Sequence, residues 1–251
     1  VETNYTEADE IVVCNDGSFD GTAEILSALE KDVPRFRVVT HRQNRGGGAS
    51  RNSAVNASEN DLIFCLDSDN LLGPNTVAPL KELLLGEGAD VAVFRECRIF
   101  HDDPLAITRT IIYRHGPDPL QDYLSSIDVP GGSGNYLYTR DNWHKAGGYP
   151  EFAQAMDTWG FGLRQAAIGS KIVFLENEYY LHRQGHESYW TRCKGLAISK
   201  LALQLMIPFM DQVVDADVRY MLKNWTRWYR MIEQRPVRTK KTHPSFFDRF
   251  R

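Results

Sequence analysis

Four cysteines in 251 residues, at positions 14, 65, 97 and 193, are too few and too far apart for a disulfide framework or a zinc knuckle. Cys14 and Cys65 lie in apolar, strand-like runs, which points to buried free thiols and a reducing compartment. No apolar run is long enough to span a bilayer, and the amino end lacks the pattern of a secretory signal. Internal repeats and low-complexity segments are absent. Positive charge is not in excess either: 29 Lys and Arg stand against 33 Asp and Glu, which removes the general reason to expect nucleic acid binding. What is present is ordinary for a globular chain, 42% hydrophobic and 25% charged. The length suits one α/β domain carrying a helical tail.

The charge is spread unevenly. Nine basic residues fall between Lys223 and Arg251 against two acids, Glu233 and Asp248, while the rest of the chain is acidic on balance. A basic tail on an acidic body suggests an anionic neighbour such as a membrane surface. Trp225, Trp228, Tyr229 and Ile232 share one helical stripe with Arg227 and Arg230 between them, a pattern that suits either core packing or an interfacial helix. The expected location is cytoplasmic, peripheral to the inner face of the membrane.

Hydrophobic patterning sets out the elements. Residues 10–14 and 37–40 read as strands, and so do the five apolar residues Leu62 to Leu66. Helices follow each: one opened by Asp20 with Ala23, Ile25, Leu26 and Leu29 near helical spacing, one over Ala49–Ala57 behind a flexible Gly46-Gly47-Gly48 loop, and one over about 75–85. This alternation predicts an α/β fold, a Rossmann-like, mostly parallel sheet flanked by helices, with the strand ends on one edge. Residues 91–100 and 107–113 alternate as antiparallel strands. A strand at 136–138, a helix at 140–146, a helix opened by Asp157, and a strand at 171–175 come next. From Trp190 the chain reads as helical, interrupted at Pro208. The expected division is 1–189 for the main domain and 190–251 for the helical extension.

Chemistry gathers at the strand ends. Asp67-Ser68-Asp69 closes the third strand with two carboxylates, a hard oxygen site suited to Mg²⁺ or Mn²⁺ with a phosphate-bearing ligand beyond it. Capping of the next turn is the alternative use for both acids. Backbone N–H groups of the glycine run can approach phosphate, Arg45 and Arg51 can pair with its oxygens, and Asp16 can accept hydrogen bonds from a base or ribose. His186 or His182 could complete a metal shell. The loop 131–135, with Ser133 and Asn135, could contact a second substrate or close as a lid.

These motifs, in their order and spacing, resemble family 2 nucleotide-sugar glycosyltransferases of the type A glycosyltransferase fold. The carriers are Asn15-Asp16-Gly17-Ser18, the segment from Asn44 to Asn52, Leu66-Asp67-Ser68-Asp69, Gly147-Gly148-Tyr149-Pro150-Glu151, and Phe161-Gly162-Leu163-Arg164 with Gly169. The likeness covers roughly residues 10–190. It implies a metal-dependent, inverting transfer of sugar from a nucleoside-diphosphate sugar, a UDP-sugar above all, to a hydroxyl of a carbohydrate or glycoconjugate in polysaccharide or glycoconjugate synthesis. It implies Asn15, Asp16, Asn44, Arg45, Arg51, Asp67 and Ser68 on the nucleotide-sugar, and Asp67, Asp69 and His186 on the metal. It further implies Ser133, Asn135 and Trp159 on the acceptor and Asp157 as catalytic base.

The chain departs from the pattern in three places. The opening strand of the Val-Ser-Val-Ile-Ile-Pro-Thr-Tyr-Asn type does not precede residue 10, and its expected explanation is that the protein's start is absent from this sequence. Asn15 stands where Asp is frequent. Met156-Asp157-Thr158 stands where Glu-Asp is common. Two other readings carry weight: a nucleotide-sugar binding module with a degenerate active site, and a nucleotidyltransferase, which would release pyrophosphate.

Overall fold

The structure, a computed structural model, describes residues 4–185 and 196–212, apart from 115, 117, 126–127 and 131–135. The elements in order are β1 (Ile11–Asn15), α1 (Thr22–Asp32), β2 (Phe36–Thr40), α2 (Gly47–Ala57), β3 (Leu62–Phe64), β4 (Leu71–Leu72), α3 (Val77–Gly86), β5 (Val91–Phe100), β6 (Ile107–Ile112) and α4 (Pro119–Ser125). They continue with β7 (Tyr136–Thr139), α5 (Arg140–Lys145), a 3₁₀ turn (Glu151–Met156), α6 (Asp157–Ala167), β8 (Ile172–Arg183), α7 (Leu196–Met206) and a second 3₁₀ turn (Ile207–Gln212).

The α/β reading holds, with a sheet that is mixed. β1 and β2 form a parallel pair, Ile11 opposite Phe36 through Asn15 opposite Thr40, as a βαβ crossover requires. The larger sheet runs β3-β7-β5-β8-β4, with β6 also on β5. Within it only β5 and β8 are parallel; β3/β7, β5/β7, β5/β6 and β4/β8 are antiparallel. The reason lies in the second half, where the short β5–β6 connection makes a hairpin instead of a crossover. Among the described residues, no ladder joins the β1–β2 pair to the larger sheet.

Local chemistry places the ends of the helices. Asp20 Oδ1 accepts from the Thr22 N–H at 3.0 Å and opens α1. Asn4, far away in sequence, supplies the cap of α3: its Oδ1 accepts from the N–H groups of Thr76 (2.7 Å) and Val77 (2.9 Å), and its amide donates to Gly73 O (2.8 Å). Arg140 closes the other end of α2, donating from Nη1 to Val55 O at 2.9 Å and from Nη2 to Ser58 O at 2.8 Å and Asn60 O at 2.7 Å.

Burial follows from the pleat. Along β5, Ala92 and Phe94 face a core shared with Leu80, Leu84, Leu137 and Tyr180, while Val91 and Val93 face Tyr136, Tyr138, Tyr149 and Phe161. A third core joins Leu120, Tyr123 and Leu124 of α4, Trp159 and Leu163 of α6, and Ile198, Leu201 and Leu205 of α7. The helix after Trp190 therefore packs on the main body where it is described. The helical stretch expected beyond Pro208 falls outside the described residues from position 213 on, and so does the whole basic stretch from Lys223. Two glycines make the third core close: a methyl at Gly160 would meet Leu205 side-chain carbons at 2.9 Å, and one at Gly162 would overlap the Tyr123 ring.

Candidate active site

Three segments distant in sequence meet at Arg51, on the second turn of α2. Its Nη1 donates to Asp157 Oδ2 at 2.6 Å, and its Nη2 donates to Asp67 Oδ1. Asp67 lies three residues past β3 and opens the turn to β4, and Asp157 is the first residue of α6, where the helix dipole favours an anion. The second oxygen of Asp157 accepts from the Thr158 N–H at 2.8 Å. Its side chain is 6% exposed, against 25% for Asp67 and 20% for Arg51. Burial pushes the Asp157 carboxyl above its ordinary range, and the Arg51 guanidinium restrains the rise. For Arg51 burial works against the charge, but the Asp67 and Asp157 carboxylates outweigh it and hold the pKa well above the usual value.

The glycine run takes its meaning from the same place. Gly47 and Gly48 are not in a flexible loop; they form the first turn of α2. A methyl on Gly47 would meet Arg51 Nη1 at 2.7 Å and Asp157 Oδ2 at 2.8 Å, and one on Gly48 would press on Pro150, Glu151 and the Asp157 Cβ at 3.2–3.3 Å. These positions lack side chains because the Asp157 turn sits against them. Asn52, one residue beyond Arg51, secures that turn: its Oδ1 accepts from Tyr149 N at 2.9 Å and its Nδ2 donates to Tyr149 O at 2.9 Å.

The nucleotide-side candidates surround the start of α2. Asp16 accepts from the N–H groups of Arg45 (2.9 Å) and Gly46 (2.8 Å) and from the His41 ring (2.6 Å). Burial opposes its charge, but these three donors prevail and its pKa is lowered. Asn15 is buried and spends its Oδ1 on the Ser18 N–H at 2.9 Å. Asn44 and Arg45 are exposed, and Arg45 reaches Glu151 at 3.2 Å. Ser68 and Asp69 are exposed on the turn after Asp67.

That turn is docked on β8. β4 pairs with Tyr180 and Leu181, and the Arg183 N–H donates to the buried Asn70 Oδ1 at 3.0 Å. His182 is brought close enough to feel both Asp67 and Asp69. Burial lowers its pKa and the two acids oppose the drop. Its Nδ1 is buried with no hydrogen-bond partner. Among the described residues no three His, Cys, Asp or Glu side chains already converge as a cation cage. His186, Ser133 and Asn135 lie outside the described residues. Trp159, expected on the acceptor, lies in the core at 3% exposure, tilted against Tyr123 with ring centroids 6.3 Å apart. Sequence reasoning gave Asn52 and Glu151 no role of their own although both close motifs it singled out, and it missed His41, for which the signal was a histidine closing a strand three residues before Asn44.

Solved structures share this arrangement of elements. The chain superposes on S. aureus TarS 1–349 in complex with UDP-GlcNAc with a TM-score of 0.65 at 15% identity, over 91% of this chain and 66% of that one. It superposes on the mannosyltransferase PcManGT from Pyrobaculum calidifontis, in complex with GDP-Man and Mn²⁺, with a TM-score of 0.57 at 15% identity, over 87% and 60%. The fold is therefore the type A glycosyltransferase fold. The family model described as glycosyl transferase family 2 matches residues 2–147, and the chain belongs to that family. A curated relative, succinoglycan biosynthesis protein ExoU of Rhizobium meliloti, is 39% identical over 84 residues, 34% of this chain and 24% of ExoU. The chain spans well under half the length of the curated relatives it matches.

Proposed function

We propose that this chain transfers a sugar from a nucleoside-diphosphate sugar to an acceptor hydroxyl, with Asp157 as the base and with inversion at the anomeric carbon. The observation that carries this is the Arg51 clasp: one guanidinium ties the acid that ends the nucleotide-side turn to the acid that opens α6. A donor diphosphate beside Asp67 would then present its anomeric carbon toward Asp157. The raised pKa of Asp157 makes its carboxylate a better proton acceptor than an ordinary one. A single displacement with one base and no carboxylate nucleophile inverts the centre.

Arg45, whose only described ion pair is an exposed one with Glu151, is the cation suited to the diphosphate. Asp16 and the turn it holds would carry the base or ribose. Asp67, Asp69 and the buried, unpartnered Nδ1 of His182 are the oxygen and nitrogen donors that would move together to hold Mn²⁺ or Mg²⁺, since they do not converge as a cage on their own. A cation there would neutralise charge on the leaving diphosphate. A UDP-sugar is the proposed donor, in keeping with the UDP-GlcNAc of TarS; the GDP-Man of PcManGT marks the competing choice. A carbohydrate or glycoconjugate is the proposed acceptor, in keeping with the name of ExoU. Contact of the basic stretch from Lys223 with an anionic, cytoplasmic membrane face belongs to the same proposal.

Asp157→Asn is the test. Turnover of nucleotide-sugars should fall by about 10²–10⁴-fold with nucleotide binding retained. Full turnover by the variant removes Asp157 from the chemistry and with it the reading of the clasp.

A further inference from the structure

We propose that His41 is a positioning residue for the donor nucleotide: it fixes the Asp16 carboxylate that pins the start of α2, and so sets donor affinity without touching the reacting atoms. The inference rests on the nucleotide-sugar reading above and assigns a role to a residue that reading does not use.

His41 follows β2 directly, and its N–H donates to Asn15 O at 2.9 Å, which extends the β1–β2 ladder by one rung. That rung points the ring inward, where its side chain is 7% exposed. Both ring nitrogens are engaged. Nδ1 lies 2.6 Å from Asp16 Oδ1, and Nε2 lies 2.9 Å from Ser53 Oγ on α2. An ionised Asp16 only accepts, so Nδ1 carries a hydrogen and donates. The imidazole thus spans β1 and α2, with the carboxylate at one end and the helix at the other.

Asp16 passes this order on. Oδ1 takes the Arg45 N–H besides the imidazole, and Oδ2 takes the Gly46 N–H. These two amides lead into the turn of α2 that packs on Arg51 and Asp157. Without His41 the carboxylate keeps only the two backbone donors and is free to swing about its terminal torsion, and the Arg45–Gly46 step loosens with it. A chain of Cys14, Ser53, His41 and Asp16 has the connectivity of a nucleophile–histidine–carboxylate relay. Against that use, burial pushes the Cys14 thiol up, its sulfur is 3.7 Å from Nε2, and Ser53 sits in mid-helix.

Three substitutions separate positioning from space filling. In His41→Asn the amide nitrogen replaces Nδ1 and can still donate to Asp16; in His41→Gln it replaces Nε2 and reaches Ser53 instead; His41→Phe fills the space and offers neither bond. Binding of UDP and of GDP, each with Mn²⁺, is measured by calorimetry on the full chain, together with donor KM, kcat and thermal unfolding. His41→Phe and His41→Gln should bind the nucleotide that the wild type prefers about tenfold more weakly, with a matching rise in donor KM and kcat unchanged. His41→Asn should stay within about threefold of wild type. Equal affinity in His41→Phe, or rescue by Gln and not by Asn, overturns the proposal and leaves His41 a strap between β2 and α2. A wild type that binds neither nucleotide overturns the nucleotide-sugar reading itself, a result distinct from either of these.

Discussion

Replacing Arg51 with Met removes the charge that holds Asp67 and Asp157 together while keeping a side chain of similar bulk. Two carboxylates then face one another, one of them 6% exposed. Removing one partner of a buried pair costs roughly 3–5 kcal/mol. Asp67, at 25% exposure, is partly screened by water, which places the expected loss near the lower end, about 3 kcal/mol. For a domain of this size that is a fall in Tm of about 6–12 °C.

The pH dependence has a definite sign. Burial raises the Asp157 pKa in the folded protein, and Arg51 is the main force restraining it, so the variant's value is higher still. A group whose folded pKa lies above its unfolded value gives stability that is fully present below the unfolded pKa. That stability is lost as pH rises through the folded pKa. The deficit of Arg51→Met is therefore largest at neutral pH and shrinks on acidification, as Asp157 takes up a proton and donates to Asp67. Adding Asp157→Asn, which removes the charge outright, should recover part of the loss at neutral pH. Urea unfolding of the wild type, both single variants and the double variant at two pH values reads all of this. A deficit below about 1 kcal/mol that does not change with pH would refute the clasp as described.

Other substitutions probe the remaining contacts. Gly47→Ala improves helix propensity by about 1 kcal/mol yet sets a methyl against Arg51 and Asp157, so turnover should drop more than about tenfold with little change in Tm; unaltered turnover means the placement of Asp157 is not critical. His182→Ala should abolish the gain in UDP affinity that Mn²⁺ gives the wild type in calorimetry, and a persisting gain excludes His182 as a ligand. Arg140→Met strips its charged donors from three carbonyls at the end of α2 and should lower stability by roughly 2–4 kcal/mol in urea unfolding, with no effect on donor KM.

Local signals carried much of the fold and the nucleotide side of the site. The turns after β1 and β3, the helices between them and the start of α6 at Asp157 follow from short-range pattern, and these are the features the contacts bring together. What was illegible depended on distance in the chain. The glycines of α2 read as a phosphate loop because the Asp157 turn that crowds them is more than a hundred residues away. The full extent of β8 was hidden by Glu176-Asn177-Glu178: Asn177 has φ 65° beside a break in register with β5, and the strand resumes past it to reach His182. The burial of Trp159 was not legible because α6 is buried on nearly every side from Asp157 to Leu163, so periodicity gives no solvent face from which a ligand contact could be judged. The mostly parallel sheet was projected from the strand–helix alternation of the first half, whereas β7, between β3 and β5, runs antiparallel to both and pairs with segments far away in sequence.

The close joint at Gly160 has a mechanical consequence. Leu205 of α7 rests on α6 one turn from Asp157, with no side chain between them to absorb movement. A shift of α7 is therefore passed directly to α6, at whose head Asp157 stands. In the proposed reaction, side chains of α7 remote from the substrate would in this way bear on the placement of the base.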